Sequence, residues 1–293
     1  MTTDRMTSRI PVTKTPKVYV GGAFIRSESG RTFPARDANG EFVANVPQCT
    51  RKDLRNAVEA AAKAGPSWAA RTPYNRGQII YRLAEMLESR ADEMNAALRQ
   101  FTREWTDGAE QEVALTVDRL VHYAGWADKY EQVLGNSNPV AAPFFNFTIT
   151  EPMGVIGTIA SDSFPLLGLV SQAAAAIVSG NTVVALASET TPYPAIVLGE
   201  MLATSDLPGG VVNILTGFRK ELIPTFASHA HLRALDAVVA GEEATTLRRG
   251  AAESVKRVKT RPTDIDWADD RHESAFEIRN FIEFKTVWHP IGA

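Results

Sequence analysis

The chain has 293 residues, enough for one large domain or two ordinary ones. Its 44% hydrophobic and 22% charged content is that of a globular protein and excludes wholesale disorder. Lys and Arg total 31 against 34 Asp and Glu, a formal net charge of -3, so no electrostatic drive toward nucleic acid or an anionic membrane is expected. The polar N-terminus lacks the apolar stretch of a secretory signal, and the longest apolar run, Ala173 to Ala187, is interrupted at residues 179–182 and too short to span a bilayer. With one cysteine, Cys49, no intrachain disulfide can form, and a cytoplasmic α/β protein is the expectation.

Residues 1–16 read as a mobile tail. Lys17 to Arg26 and Arg31 to Val46 have the look of short strands with glycine turns, including Asn39-Gly40. Three helical patterns follow. The first, Asp53–Ala64, starts at a Thr50-x-x-Asp53 cap. The second, Tyr74–Phe101, carries Ile79, Ile80, Leu83, Met86 and Leu87 at the spacing of one helical face, and the third, Glu110–Leu134, repeats it through Val113, Val117, Leu120 and Val121. Residues 135–139 (GNSNP) stop that helix, and residues 144–150 (FFNFTIT) then alternate as a strand does.

From Glu151 onward short apolar runs alternate with helical patterns. Strands are expected at 155–160, 182–186, 211–215, 237–240 and 255–259, with helices near 165–179, 192–204, 219–228 and 243–252. This alternation predicts right-handed βαβ units and a doubly wound parallel sheet. A charged, irregular stretch (residues 261–273) comes next. Residues 281–288 (FIEFKTVW) then alternate as a strand with no sequential neighbour, so it must join an existing sheet edge, in this chain or another.

Several residues are of types that can carry chemistry. Cys49 sits just before the capped helix start, where a thiol pKa can fall, but no histidine lies near it in sequence and a structural role is the favoured reading. His229-x-His231 lacks a cysteine or carboxylate cluster at ligand spacing and reads as a surface loop rather than a metal site. The basic residues Arg248, Arg249, Lys256, Arg257, Lys259 and Arg261 are expected to pair with Asp264, Asp266, Asp269 and Asp270 or to form a solvated face. Ser161-Asp162-Ser163 holds a hydroxyl nucleophile without an identifiable base and reads as a strand-end turn.

One ordered series is more specific. Residues 151–157 (EPMGVIG), 163–167 (SFPLL), 179–184 (SGNTVV), 189–192 (ETTP) and 207–214 (LPGGVVNI), with Gly217-Phe218 and residues 227–229 (ASH), resemble the cofactor domain of the aldehyde dehydrogenase superfamily. The resemblance runs from about Val18 to Lys259 and resumes at Asn280–Gly292. It implies a Rossmann-like doubly wound parallel sheet with N-terminal helices over 17–133 and 151–260. It also implies a β-flap for oligomerisation at 134–150 and 280–293, carried by Phe145, Phe147, Ile149, Phe284, Thr286 and Trp288.

The departures from that family are as informative. Ser163 stands where the resemblance implies an asparagine donating to an oxyanion, and Leu186 where it implies a lysine on the adenosine ribose; Glu189 is retained. The phosphate-facing helix start becomes Gly241-Glu242-Glu243, and Thr246 replaces a glycine further along. These carboxylates are expected to satisfy the helix N–H groups themselves and to repel a pyrophosphate by about 1 kcal/mol per close pair. Residues 261–279 form a linker where the resemblance implies a catalytic domain with its nucleophilic cysteine and general base, so no catalytic residue is expected and no cofactor is assigned, NAD being the one the resemblance implies if any.

Two functions follow from the resemblance. The first is a non-catalytic subunit that assembles with itself or with a complete aldehyde dehydrogenase, as in the catalytic-domain-deficient half of the two-domain family 16 enzymes. The second is a component of an active aldehyde-oxidising oxidoreductase that retains NAD(P) binding. A ligand-sensing role has no positive feature behind it.

Overall fold

The computed structural model describes residues 14–101 and 108–292. The expected tail lies outside these except for residues 14–16, where Lys14 pairs with Glu200 and Pro16 is buried. The N-terminal strands are β1 (Val18–Val20), β2 (Ala23–Ile25), β3 (Thr32–Arg36) and β4 (Phe42–Pro47). Helix α1 (Arg51–Ala69) begins at Thr50, whose side chain accepts from Lys52 N and Asp53 N while Asp53 accepts from Thr50 N at 2.7 Å, the reciprocal box that the Thr50-x-x-Asp53 spacing predicts.

The long second helix is in fact two, α2 (Pro73–Ser89) and α3 (Ala91–Phe101). Arg90 leaves helical geometry (φ -117, ψ 23), and the bend carries Phe101 into a stack with Tyr193, ring centroids 5.8 Å apart. The third likewise divides, into α4 (Gly108–Trp126) and α5 (Tyr130–Leu134). Strands β5 (Asn136–Asn138) and β6 (Phe144–Pro152) follow.

The alternating half contains β7 (Val155–Ile159), α6 (Leu167–Ile177), β8 (Thr182–Leu186), α7 (Tyr193–Thr204), β9 (Val212–Leu215), α8 (Arg219–Ser228), β10 (Leu232–Val238), α9 (Gly241–Ala252) and β11 (Arg257–Arg261). These strands are parallel, in the sheet order β11-β10-β7-β8-β9-β1-β2. The sheet is mixed rather than wholly parallel, because the β1–β2 hairpin, turned by Gly21 and Gly22 at positive φ, adds antiparallel to β9. The fold is therefore α/β and doubly wound, and its strand order reverses between β7 and β10. Helices α2, α4, α6 and α7 pack on one face, and α1, α8 and α9 on the other.

Strand β10 starts five residues before its expected position and β11 two residues after. Asp236 interrupts the apolar pattern of β10, yet it is fully buried because Arg261 of β11 grips it with two hydrogen bonds of 2.6 and 2.7 Å. Val255, at φ 51 and almost wholly exposed, is a turn residue rather than a strand start.

The chain ends with α10 (Ala275–Ile278) and β12 (Ile282–Pro290). Strand β12 pairs antiparallel along the whole of β6, and β5 takes the other side of β6. At the base of this arm the fully buried Asn181 side chain accepts from Gly154 N and donates to Phe281 O, both at 2.8 Å, tying the start of β12 to the central domain.

Candidate functional site

In doubly wound sheets the crevice outside the strand carboxyl ends, at the point where strand order reverses, is the ligand position. Here that point lies beyond β7 and β10. The crevice measures about 320 Å³ and is lined by Asp162, Glu189, Thr190, Arg219, Glu243 and Thr263. Gly217, at φ +154 and packed against the Cys49 backbone, makes the turn out of β9 that delivers Arg219 to the first position of α8.

Arg219 dominates this space. Its guanidinium donates to Ala160 O beyond β7 (3.2 Å), to Val238 O of β10, and to Glu243 of α9 (2.9 Å from Nη2 to Oε2, 3.2 Å from Nε). Its backbone N–H donates to Glu189 Oε2 at 2.7 Å, so Glu189 caps α8 from a different loop. Asp162 accepts from Ser188 Oγ (2.5 Å) and from Glu189 N (3.1 Å), which fixes the loop after β8 against the loop after β7.

The sequence-predicted positions do not all converge here. Glu189 lines the crevice, and Gly241 and Glu242 are exposed at the start of α9. Ser163 is bonded to Ser161, with the hydroxyls 2.8 Å apart, in the strand-end turn that the sequence suggests. Leu186 is fully buried in the core beneath the crevice, packed in the same apolar cluster as Ile196 and Leu215. The expectation that the two glutamates satisfy the α9 N–H groups is corrected: Ala240 is the cap residue, α9 has no side-chain cap, and Glu243 is bonded to Arg219 instead. The sequence motifs do not single out Arg219. An arginine directly after Gly217-Phe218, with acidic residues 189 and 243 elsewhere, is the available signal.

The 261–279 linker is a packed strap rather than a loose connection. Ile265 and Trp267 are buried against Leu167 and Val238, and a Cβ at Gly168 would come within 2.8 Å of the indole nitrogen. The buried Arg119 of α4 donates to His272 O (2.6 Å) and Trp267 O (3.1 Å) and pairs with Glu273, which also contacts His122 at 2.8 Å. Glu112, on the same helix and buried, accepts from Leu166 N and Leu167 N at 2.9 Å, and burial pushes its carboxyl up to about 7.

The remaining candidates resolve as follows. Cys49 is fully buried, and burial pushes its thiol up to about 12, opposite to the lowering that a helix start can give. His229 and His231 lie edge to face, 6.0 Å between centroids, and no group of three metal-ligating side chains occurs among the described residues. The basic residues do not pair with Asp264–Asp270. Lys259 and Arg261 meet Glu277, Arg257 meets Glu283, and Asp269 is taken by Arg271.

In the arm, register places the six flap residues on two faces. Trp288 lies opposite Asn146, Thr286 opposite Thr148 and Phe284 opposite Thr150, so these share one face. Phe145, Phe147 and Ile149 project from the other, opposite His289, Val287 and Lys285. Phe145, Ile149, Phe284 and Trp288 are all exposed.

A doubly wound α/β domain with a crevice at the switch point and a projecting three-stranded arm defines a dinucleotide-binding class of fold. Within that class, residues 24–260 match the Aldehyde dehydrogenase family, and the chain belongs to it. It is 33% identical to Retinal dehydrogenase 2 of Gallus gallus over 84% of this chain and 48% of the relative. It is 36% identical to the mitochondrial Benzaldehyde dehydrogenase of Antirrhinum majus over 69% and 38% respectively. Among solved structures it superimposes on the NAD+ complex of the Bacillus cereus aldehyde dehydrogenase with a TM-score of 0.80, at 26% identity, over 84% of this chain and 50% of that one. HpcC of Thermus thermophilus gives 0.81 at 27% identity, over 85% and 48%. The chain thus spans about half the length of the curated relatives it matches. No helix among the described residues is long and apolar enough to cross a membrane.

Proposed function

We propose that this chain is a non-catalytic aldehyde dehydrogenase-family subunit that assembles through its three-stranded arm, with a complete NAD-dependent aldehyde dehydrogenase or with itself, as a structural or regulatory partner. The observation that carries the reading is the arm. Strand β12 has one paired edge and one edge with no partner strand among the described residues, and both sheet faces expose large apolar side chains. Such a surface is costly in water and is the usual mark of an interface. The buried Cys49 thiol supports the non-catalytic part, since a nucleophile must be an accessible thiolate. So does the strap, which joins β11 to β12 directly where the resemblance implies a catalytic domain. On this reading the chain resembles the non-catalytic half of family 16 enzymes.

The alternative, a component of an active oxidoreductase that itself binds NAD(P), requires Arg219 to leave the crevice. The test is co-purification of the chain with a complete aldehyde dehydrogenase from the same cells, followed by sizing. A mixed or self-assembled species is expected, and a monomer that ignores the enzyme refutes the assignment.

A further inference from the structure

We propose that Arg219 and Glu243 form an internal latch that fills the anion-facing part of the switch-point crevice and keeps dinucleotides out. The inference goes beyond the assembly reading and does not rest on it, because a subunit that oligomerises can also bind a nucleotide.

A dinucleotide in this kind of fold lays its pyrophosphate against the N-terminus of a helix, where N–H groups and the helix dipole favour negative charge. The start of α9 is the corresponding place, and with Ala240 as its cap residue it has no side-chain acceptor of its own. The access is what has changed. The Arg219 guanidinium spans the crevice from Ala160 O to Val238 O, so a single side chain bridges the carboxyl ends of both strands that flank the switch point. Glu243, three residues into α9, holds it there through Nε and Nη2.

Charge acts in the same direction as volume. Arg219 is the one cation among the described residues lining the crevice, beside Asp162, Glu189 and Glu243. All three of its nitrogens are already engaged by Glu243 and by two carbonyls, so turning toward a phosphate breaks bonds made in a largely buried place. A phosphate arriving at α9 therefore meets carboxylates. Glu189, which remains in sequence, spends one carboxylate oxygen on the backbone N–H of Arg219. The residues of this crevice do not fit a dinucleotide, and this ion pair is the part of the misfit that single substitutions can remove.

Isothermal titration with NAD+ and with NADP+ tests the latch, with far-UV circular dichroism confirming the fold of each variant. The wild-type chain should give no saturable binding at millimolar nucleotide. Arg219→Gly, which clears the crevice, should bind with an affinity raised on the order of tenfold or more. Glu243→Gln is the milder variant. It removes one repelling charge and the ion pair that holds the guanidinium across the crevice, so the side chain can swing out and the variant should also gain saturable binding. Saturable binding by the wild-type chain overturns the proposal, as does a folded Glu243→Gln variant that binds no better than wild type. Sizing of the same samples reports separately on assembly.

Discussion

Replacing Trp267 by alanine tests whether the strap is part of the core or lies over it. The indole is 1% exposed, packed among Leu167, Val238 and Ile265, and its ring faces the Arg261 guanidinium at 4.7 Å. Truncating a buried aromatic costs about 3–5 kcal/mol. Loss of the cation–π contact in a desolvated place adds up to about 2 kcal/mol. Against this, the indole nitrogen is buried with no hydrogen-bond partner among the described residues, and removing an unsatisfied donor returns about 1–3 kcal/mol. The balance is a loss of about 3–4 kcal/mol, or a fall in Tm of about 6–15 °C for a chain of this size. Thermal unfolding followed by circular dichroism measures it. Trp267→Phe, which keeps most of the apolar area and discards the unsatisfied N–H, should lose far less. A fall of under about 2 °C for Trp267→Ala refutes the claim that the strap is built into the fold.

Three further outcomes follow. The Glu112 carboxyl is raised from its ordinary range to about 7, so the stability it contributes is fully present below pH ~4.5 and is lost as pH rises through about 7. Glu112→Gln keeps an acceptor for Leu166 N and Leu167 N without that cost. Its Tm relative to wild type should therefore climb between pH 5 and pH 8, and a pH-independent difference contradicts the burial argument. Cys49 should resist a thiol reagent in the folded chain at pH 8 and react fully in denaturant; rapid labelling of the native protein would show that the thiol is not sealed. Gly168→Ala drives a methyl group into the Trp267 indole and should lower Tm by several degrees, with no effect if the strap can step aside.

What the sequence revealed depended on how local the cause was. The Thr50–Asp53 box spans a single helical turn and was legible, as was the strand–helix alternation after Glu151, because each βα unit is written in adjacent residues. The break at Arg90 was not, since the apolar spacing continues through Met94 and the bend is set by what α3 packs against. The charge of Asp236 hid the start of β10, and only its pairing with Arg261, 25 positions away, makes that charge tolerable inside. Among the residues named from sequence, Glu189 lines the crevice and Glu242 does not, while Arg219 was missed because its partners come from three separate parts of the chain. The alternation of residues 144–150 and 281–288 made both arm strands legible, yet the division of the flap residues into two faces needed the register between β6 and β12. The aspartate-rich strap concealed Ile265 and Trp267, whose partners lie on α6 and β10.

The claim that matters most is that the arm is an assembly surface. Sedimentation velocity decides it, run on the chain alone and mixed with a complete aldehyde dehydrogenase from the same cells. Ile149→Asp and Trp288→Asp serve as probes of the two arm faces. The wild-type chain should sediment as a species heavier than its 31.9 kDa monomer, alone or with the enzyme, and at least one of the two substitutions should return it to the monomer. A wild-type chain that stays monomeric and leaves the enzyme's profile unchanged contradicts the account.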